Sequence, residues 1–353
     1  MFKRIGTIGV ALIAAVASSA CGGSPDLFGP GDDASLPENH PAAVDGASSY
    51  SKLAWSGNGA ELGYVLPDIR TAVARSMGAG ARRELYVALS PAQVTEVELS
   101  ADASEWFTVS VSGVPGAVGT TIRRHGAAST EVITDRGANN LRGRVVLAAA
   151  NGDLAYVVRP DSLYFRRKAG GAAQLLGVGC SGVAAISPAS DGVICYQPDP
   201  FGPALRFATA TSSQTTITGS EPNTRLVDIA WNSQGIFLLT TAFSHYVFER
   251  LGDPQSKFAT PKAAYPETTG FGNATLANDG RSFAYGNSYC AQTSGVFFCE
   301  KNQALIYHAD AVSRTVRRVA IQTSTFGATV SISPDGRRIA YFLDGSIYMI
   351  PIS

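Results

Sequence analysis

Ser331-Ile332-Ser333-Pro334-Asp335-Gly336-Arg337-Arg338-Ile339-Ala340-Tyr341-Phe342 reads as two strands joined by a tight turn. A third strand follows at Gly345-Ser346-Ile347-Tyr348-Met349-Ile350. Proline presets φ for the second position of a type I turn, Asp335 caps it, and Gly336 closes it with a positive φ that costs glycine no Cβ clash. Partial copies lie upstream at Trp55-Ser56-Gly57-Asn58-Gly59, Ala150-Asn151-Gly152, Ile186-Ser187-Pro188 with Asp191-Gly192, Trp231-Asn232-Ser233-Gln234-Gly235 and Asn278-Asp279-Gly280.

Aligned on Gly59, Gly152, Gly192, Gly235, Gly280 and Gly336, the copies stand 93, 40, 43, 45 and 56 residues apart. The first gap is double, which predicts an eroded unit near Asp102, with Glu105–Val111 as its strand. The last gap is long by roughly the size of a cysteine-bearing hairpin. Short strands recurring every 40–45 residues mark the blades of a β-propeller. The expected fold is therefore all-β: a single propeller over residues 50–353, most simply of seven four-stranded blades, with six or eight as the alternatives. The final blade ends one strand short, so residues within Tyr50–Leu53 or just before them should complete it and remove an open sheet edge. The segment Ile69–Arg83, rich in glycine toward its end, reads as a loop rather than a helix.

The Ser-Pro-Asp-Gly turn followed by Ile339-Ala340-Tyr341-Phe342 resembles the WD40-like (PD40) repeat of TolB-type propellers. Leu276–Tyr285 is a good second copy and the others are partial. TolB's amino-terminal α/β domain is not evident here. The resemblance implies a propeller of the cell envelope whose repeat residues shape turns and carry no catalysis.

The N-terminus has Lys3 and Arg4, an apolar run from Ile5 to Val16, and then Ala17-Ser18-Ser19-Ala20-Cys21, the order of a secretory signal peptide over residues 1–20. The run to Ala20 falls short of the roughly 20 residues that span a bilayer. Small residues running into Cys21-Gly22-Gly23 resemble a bacterial lipoprotein cleavage site. That resemblance implies a lipidated Cys21, and Gly22 implies outer-membrane sorting. Ser18 stands where such sites favour Leu, and ordinary cleavage after Ala20 is the competing outcome. Residues 21–49, made largely of Gly, Pro, Asp, Ser and Ala, read as a tether; Asp32, Asp33 and His40 within it suggest no metal site.

With Cys21 set aside, Cys180, Cys195, Cys290 and Cys299 remain, an even set suited to an oxidising compartment. Cys290 and Cys299 flank a glycine-containing turn and should face each other across a hairpin. Cys180 precedes the strand Val183–Ile186 and Cys195 lies on its partner, a less secure geometry, and four cysteines allow three pairings. No C-x-x-C spacing supports a thiolate metal site.

Apolar residues make up 45% of the chain, ample for a core, and 28 Lys and Arg balance 28 Asp and Glu. The arginine pairs are scattered, so no basic surface for nucleic acid is expected. The four histidines, His40, His125, His245 and His308, form no H-E-x-x-H pair, and there is no G-x-S-x-G elbow, phosphate cradle or calcium loop. No catalytic, cofactor or metal residues are assigned. Trp55, Trp106 and Trp231 fall at comparable blade positions and pack between blades, with a sugar-stacking platform as the sharper alternative. Phe201, Tyr265, Phe271 and Phe326 are candidates for a binding face.

The reading that follows is a non-enzymatic, membrane-anchored lipoprotein. One face of its propeller would hold an envelope protein or polysaccharide. The alternative is an extracytoplasmic hydrolase, lactonase or glycan lyase with acidic groups and a histidine gathered at the central channel.

Overall fold

A computed structural model describes residues 37–49, 52–112, 119–126, 130–134, 144–158, 160–199, 201–222, 224–242, 244–263, 267–294, 298–324 and 327–352. No helix occurs among them. The chain opens with β1 (Asp45–Gly46). Blade 1 is β2 (Ala54–Trp55), β3 (Glu61–Val65), β4 (Thr71–Ser76) and β5 (Arg82–Val87). Blade 2 is β6 (Gln93–Leu99), β7 (Trp106–Ser112), β8 (Gly119–His125) and β9 (Thr130–Thr134). Blade 3 follows as β10 (Val146–Ala148), β11 (Leu154–Val158), β12 (Ser162–Arg166) and β13 (Gln174–Gly177). Blade 4 is β14 (Gly182–Ile186), β15 (Gly192–Tyr196), β16 (Ala204–Ala208) and β17 (Gln214–Ile217). Blade 5 comprises β18 (Arg225–Asn232), β19 (Gly235–Ala242), β20 (His245–Arg250) and β21 (Asp253–Ala259). Blade 6 comprises β22 (Glu267–Leu276), β23 (Ser282–Ser294), β24 (Phe298–Asp310) and β25 (Thr315–Thr323). Blade 7 is β26 (Thr329–Ile332), β27 (Arg338–Leu343) and β28 (Ser346–Pro351), with β1 added at its outer edge.

Each sheet is an antiparallel meander, and the first strands of successive blades pack side by side around a central axis. The fold is thus a seven-bladed β-propeller. The eroded unit expected near Asp102 is blade 2. Turns joining first to second and third to fourth strands share one end of the ring, the turn face. Connections from second to third strands, and from one blade to the next, occupy the opposite end, the loop face.

The ring closes through β1, where Asp45 pairs with Ile347 and Gly46 with Ser346. As the unfinished last blade implies, the closing strand comes from residues just before Tyr50, within the stretch read as tether. Its sequence is too short and polar to announce a strand; the position is set by partners. Asp45 accepts hydrogen bonds from Tyr64 Oη at 2.6 Å and Arg82 Nη1 at 3.1 Å, which pins the closure to blade 1. Burial pushes its carboxyl up, but the hydrogen bonds of Tyr64, the Gly46 N–H and Arg82 together hold it below the usual range. The chain ahead of it straps blade 6: Asn39 bridges Ile321 and Glu38 Oε1 accepts the Thr323 N–H at 3.1 Å.

The segment 69–83, expected as a loop, contains β4. Thr71-Ala72-Val73-Ala74 are all buried, so the strand shows no alternation that sequence reading would recognise. Strands β11 and β15 are likewise buried at every residue. Each is covered on both sides by a neighbouring blade, and the core is a series of layers between blades rather than a single centre.

The repeat signature has a shared hydrogen-bond scheme. Ser333 Oγ donates to Asp335 Oδ1 at 2.6 Å and accepts the Arg338 N–H at 2.9 Å, while Gly336 N–H closes the turn on Ser333 O. Ser56 with Asn58, Ser100 with Asp102 and Ser187 with Asp191 repeat the serine-to-Asx bond. The left-handed closing residue is Gly59, Gly152, Gly280 or Gly336 in four blades, but Ala103 in blade 2 and Ser190 in blade 4. Gly192, aligned from sequence as a turn glycine, instead begins β15, where a Cβ would come within 2.6 Å of the Trp231 ring. Glycine there serves blade contact, not turn geometry.

Both expected disulfides are formed, Cys180–Cys195 and Cys290–Cys299. The second is diagonal rather than directly cross-strand: Cys290 lies opposite Asn302 and Cys299 opposite Thr293, with irregular register between.

Gly336 and Gly345 separate local backbone cost from blade contact. Both have positive φ, +71° and +83°, but a Cβ at Gly336 would run into Asp279 and Ser282 of blade 6, whereas Gly345 faces open space. Gly345→Ala should lose about 1–2 kcal/mol of stability through backbone strain alone. Gly336→Ala should lose at least about 1 kcal/mol more, measured by urea denaturation.

Candidate binding channel

First strands that all begin at the loop face enclose a recess of about 530 Å³ along the ring axis. Its turn-face mouth is bordered by Gly57, Ala101, Ala150, Pro188, Asn278 and Pro334, and its lining runs to Lys52, Arg144 and Thr329 toward the loop face. The walls combine small and apolar side chains, including Leu99, Ala148, Ala184, Ile186, Ile229 and Ile332, both indoles, Trp55 and Trp231, and the charged Lys52, Glu98, Arg144 and Asp228.

Deeper in the channel stands a set of charges that sequence reading passed over. Glu96 and Glu98 occupy alternate positions of β6, so both point inward; Glu96 is 2% and Glu98 5% exposed. Lys52 Nζ lies 3.0 Å from Glu96 Oε2, and the other Glu96 oxygen accepts the Val145 N–H at 3.0 Å. Arg144 Nη1 lies 3.2 Å from Glu98 Oε2, and Nη2 donates to Leu53 O at 2.8 Å. Lys52 and Arg144 thus tie blades 1, 2 and 3 together along the recess wall. Across the axis, Asp228 on β18 accepts the Leu276 N–H of blade 6 at 2.7 Å and the Ile229 N–H at 2.9 Å.

Burial raises the Glu98 carboxyl to about 7; Arg144 opposes this and neighbouring Glu96 adds to it. Burial also raises Asp228 to about 6, against its two backbone N–H partners. A visible signal existed for these residues. Carboxylates interrupt the otherwise buried runs Val94–Leu99 and Leu226–Trp231, and a charge in such a run requires a partner inside the fold.

Of the residues singled out from sequence, Trp55, Trp231 and Pro334 line the recess. Trp55 donates to Ser331 O across the closure at 3.4 Å, and Trp231 packs under Arg206 at 4.8 Å. Trp106 is not equivalent to them, since it starts a second strand. It stacks on His125 at 5.8 Å, beneath Arg83, between blades 1 and 2. His125 is 4% exposed, bonded to Thr108 Oγ1 at 2.8 Å and held down at about 4 by burial and Arg123. His245 neighbours Glu221, His308 is half-buried in blade 6, and His40 meets Tyr348 edge-on. None of the four lines the recess. Among the described residues no group of His, Cys, Asp and Glu is arranged to hold a metal. Phe201 is 60% exposed on the loop face. Cys21, Tyr265, Phe326 and the side chain of Phe271 lie outside the described residues.

No protein-family model matches this chain, and no curated protein matches it. Solved propellers do. A chain of the mitotic checkpoint complex superposes with a TM-score of 0.54 at 14% identity, covering 92% of this chain and 98% of that one. A chain of hydrazine synthase from Kuenenia stuttgartiensis gives 0.53 at 9% identity over 92% and 100%. A prolyl endopeptidase gives 0.52 at 13% identity; 83% of this chain covers 46% of that one, so this chain spans less than half its length. At these identities the likeness is one of fold.

The raised Glu98 value makes a signed prediction. A carboxyl whose folded value lies above its unfolded one favours the native state below about pH 4.5. That advantage is lost as pH climbs through about 7. Relative to wild type, Glu98→Gln should therefore gain stability between pH 5 and pH 8, by roughly 3 kcal/mol. His125 and His308, whose values are lowered, act in the opposite sense, and comparing variant with wild type at each pH cancels them. Denaturant midpoints at the two pH values measure the effect; an unchanged difference contradicts it.

Proposed function

We propose that this chain is an exported binding protein, lipidated at Cys21. Its propeller is held in the cell envelope and presents a binding face to a protein or envelope polymer. The observation that carries the binding role is how the channel charges are spent. Glu96 is taken by Lys52 and the backbone, Arg144 by Glu98 and backbone carbonyls, and Asp228 by two N–H groups. Such a set braces the ring and leaves a recess of mixed apolar and polar lining suited to holding a group. Two disulfides in short loops fit an oxidising compartment and support export.

A second reading rests on Glu98 and Asp228. Two carboxyls tuned to about 7 and 6 within one channel are suited to general acid–base work on a ligand seated above them. An extracytoplasmic hydrolase or lyase would use them so.

Crosslinking in intact envelopes followed by mass spectrometry separates the two. The binding reading expects one dominant envelope protein or glycan, captured equally by wild type and Glu98→Gln. Turnover of an ester, lactone or glycan that is lost in both Glu98→Gln and Asp228→Asn would establish the enzyme instead. Intact mass of the mature protein tests the anchor: the mass of a chain beginning at Cys21 plus acyl groups is expected, and an unmodified Cys21 refutes it.

A further inference from the structure

The two ends of the ring differ in chemistry. The turn face carries charge in blades 2, 3, 6 and 7, at Asp102, Asp153, Asp279, Arg281, Asp335 and Arg337. The loop face is sparse in charge where it is most apolar. Across the connections 88–92, 178–181 and 197–203 the sole charged residue is Asp199. Within those connections Leu89 is 83%, Val178 57% and Phe201 60% exposed. Single exposed apolar side chains are ordinary; the loop face gathers three of them, beside Arg70 on Ala88 O and Asp161 on the Gly179 N–H, while the turn face exposes Val312 at 73% and Leu251 at 41%.

The start of the described chain lies at the same end. β25 runs from the turn face and finishes at Thr323 on the loop face, where Glu38 and Asn39 strap it. The described chain therefore begins at the loop-face rim of blade 6. Leu89 lies between blades 1 and 2, Val178 between blades 3 and 4, and Phe201 in blade 4, across the ring from that rim. A chain held by lipid at Cys21 is attached at one side of this face, and the apolar connections supply contact at the other. Both act in one direction.

We propose that the loop face rests on a lipid bilayer, with Leu89, Val178 and Phe201 entering the headgroup boundary and the channel mouth turned away from the membrane. The proposal extends the lipid-anchor reading above and relies on it for its first contact. Lipid chains provide residence on the bilayer, and interfacial apolar side chains fix orientation. The turn-face mouth then opens away from the membrane, so a ligand reaches the recess from the aqueous side.

Hydrogen exchange read by mass spectrometry on the full mature protein tests this in vesicles of phosphatidylethanolamine and phosphatidylglycerol, against the same protein in detergent. Peptides covering 88–92, 178–181 and 197–203 should exchange several-fold more slowly in vesicles, while 57–60 and 333–337 stay unchanged. The combined variant Leu89→Asp, Val178→Asp, Phe201→Asp should float with vesicles as wild type does yet lose that slowing. Its unchanged exchange at 333–337 serves as the check on folding. Slowing at the turn face, or at neither face in protein whose mass shows acyl chains, overturns the proposal. Should Cys21 prove unmodified, the anchor reading fails alone, and vesicle flotation of that unlipidated chain decides the face. Flotation weakened at least threefold by the triple variant supports it, and equal flotation overturns it.

Discussion

Contact between the turns of adjacent blades is the constraint on which the ring depends. Asn58 N–H donates to Ala101 O, Asn151 Nδ2 to Ser190 Oγ and Asn232 Nδ2 to Asn278 O, each reaching from one blade to the next. Ile332 N–H donates to Thr275 Oγ1, and Arg338 Nη1 donates to Gly59 O across the closure. Between blades 2 and 3 the link is Glu105 with Lys168 at 3.7 Å, and between blades 4 and 5 it is the Trp231 ring against Gly192. A four-stranded sheet cannot cover both of its own faces, so each blade is stable only beside its neighbours. The turn residues set the distance at which those neighbours meet.

This explains which parts of the fold were legible. Pro334, Asp335 and Gly336 each satisfy a local turn rule, so the repeat could be read at its best copy and followed to weaker ones. Where the contact between blades took over, the pattern broke. Ser190 and Ala103 accept a left-handed backbone because the serine-to-Asx bond beneath them holds the turn, and neither residue type signals a turn by itself. Gly192 was misread because its reason is a neighbour's indole, more than one strand away. The closing strand was implied by the missing strand of the last blade, but its two residues were not singled out, because their pairing comes from Ile347 and Tyr64.

The channel illustrates the converse. Its charges come from positions with no motif: Lys52 before a strand, Arg144 before another, and three acids inside apolar runs. Spacing along the chain could not bring them together, because the ring does so by closing. What sequence could register was the anomaly of Glu96, Glu98 and Asp228 within buried strands. Removing one partner from such a set leaves an uncompensated buried charge, so the brace is bound to the integrity of blades 1 to 3. The recess and its brace are products of one geometry.

The central claim is a ring shut by the strand at Asp45–Gly46, and native-state hydrogen exchange along a denaturant series measures it directly. Val44 N–H donates to Ile347 O and Ala47 N–H to Gly345 O, so both amides report on the seam. The account predicts that they exchange with the same free energy and denaturant dependence as amides of β11 and β15, because opening the seam exposes both adjoining blades. Exchange of the seam amides by a low-energy local opening, with the seven blades left protected, would contradict it.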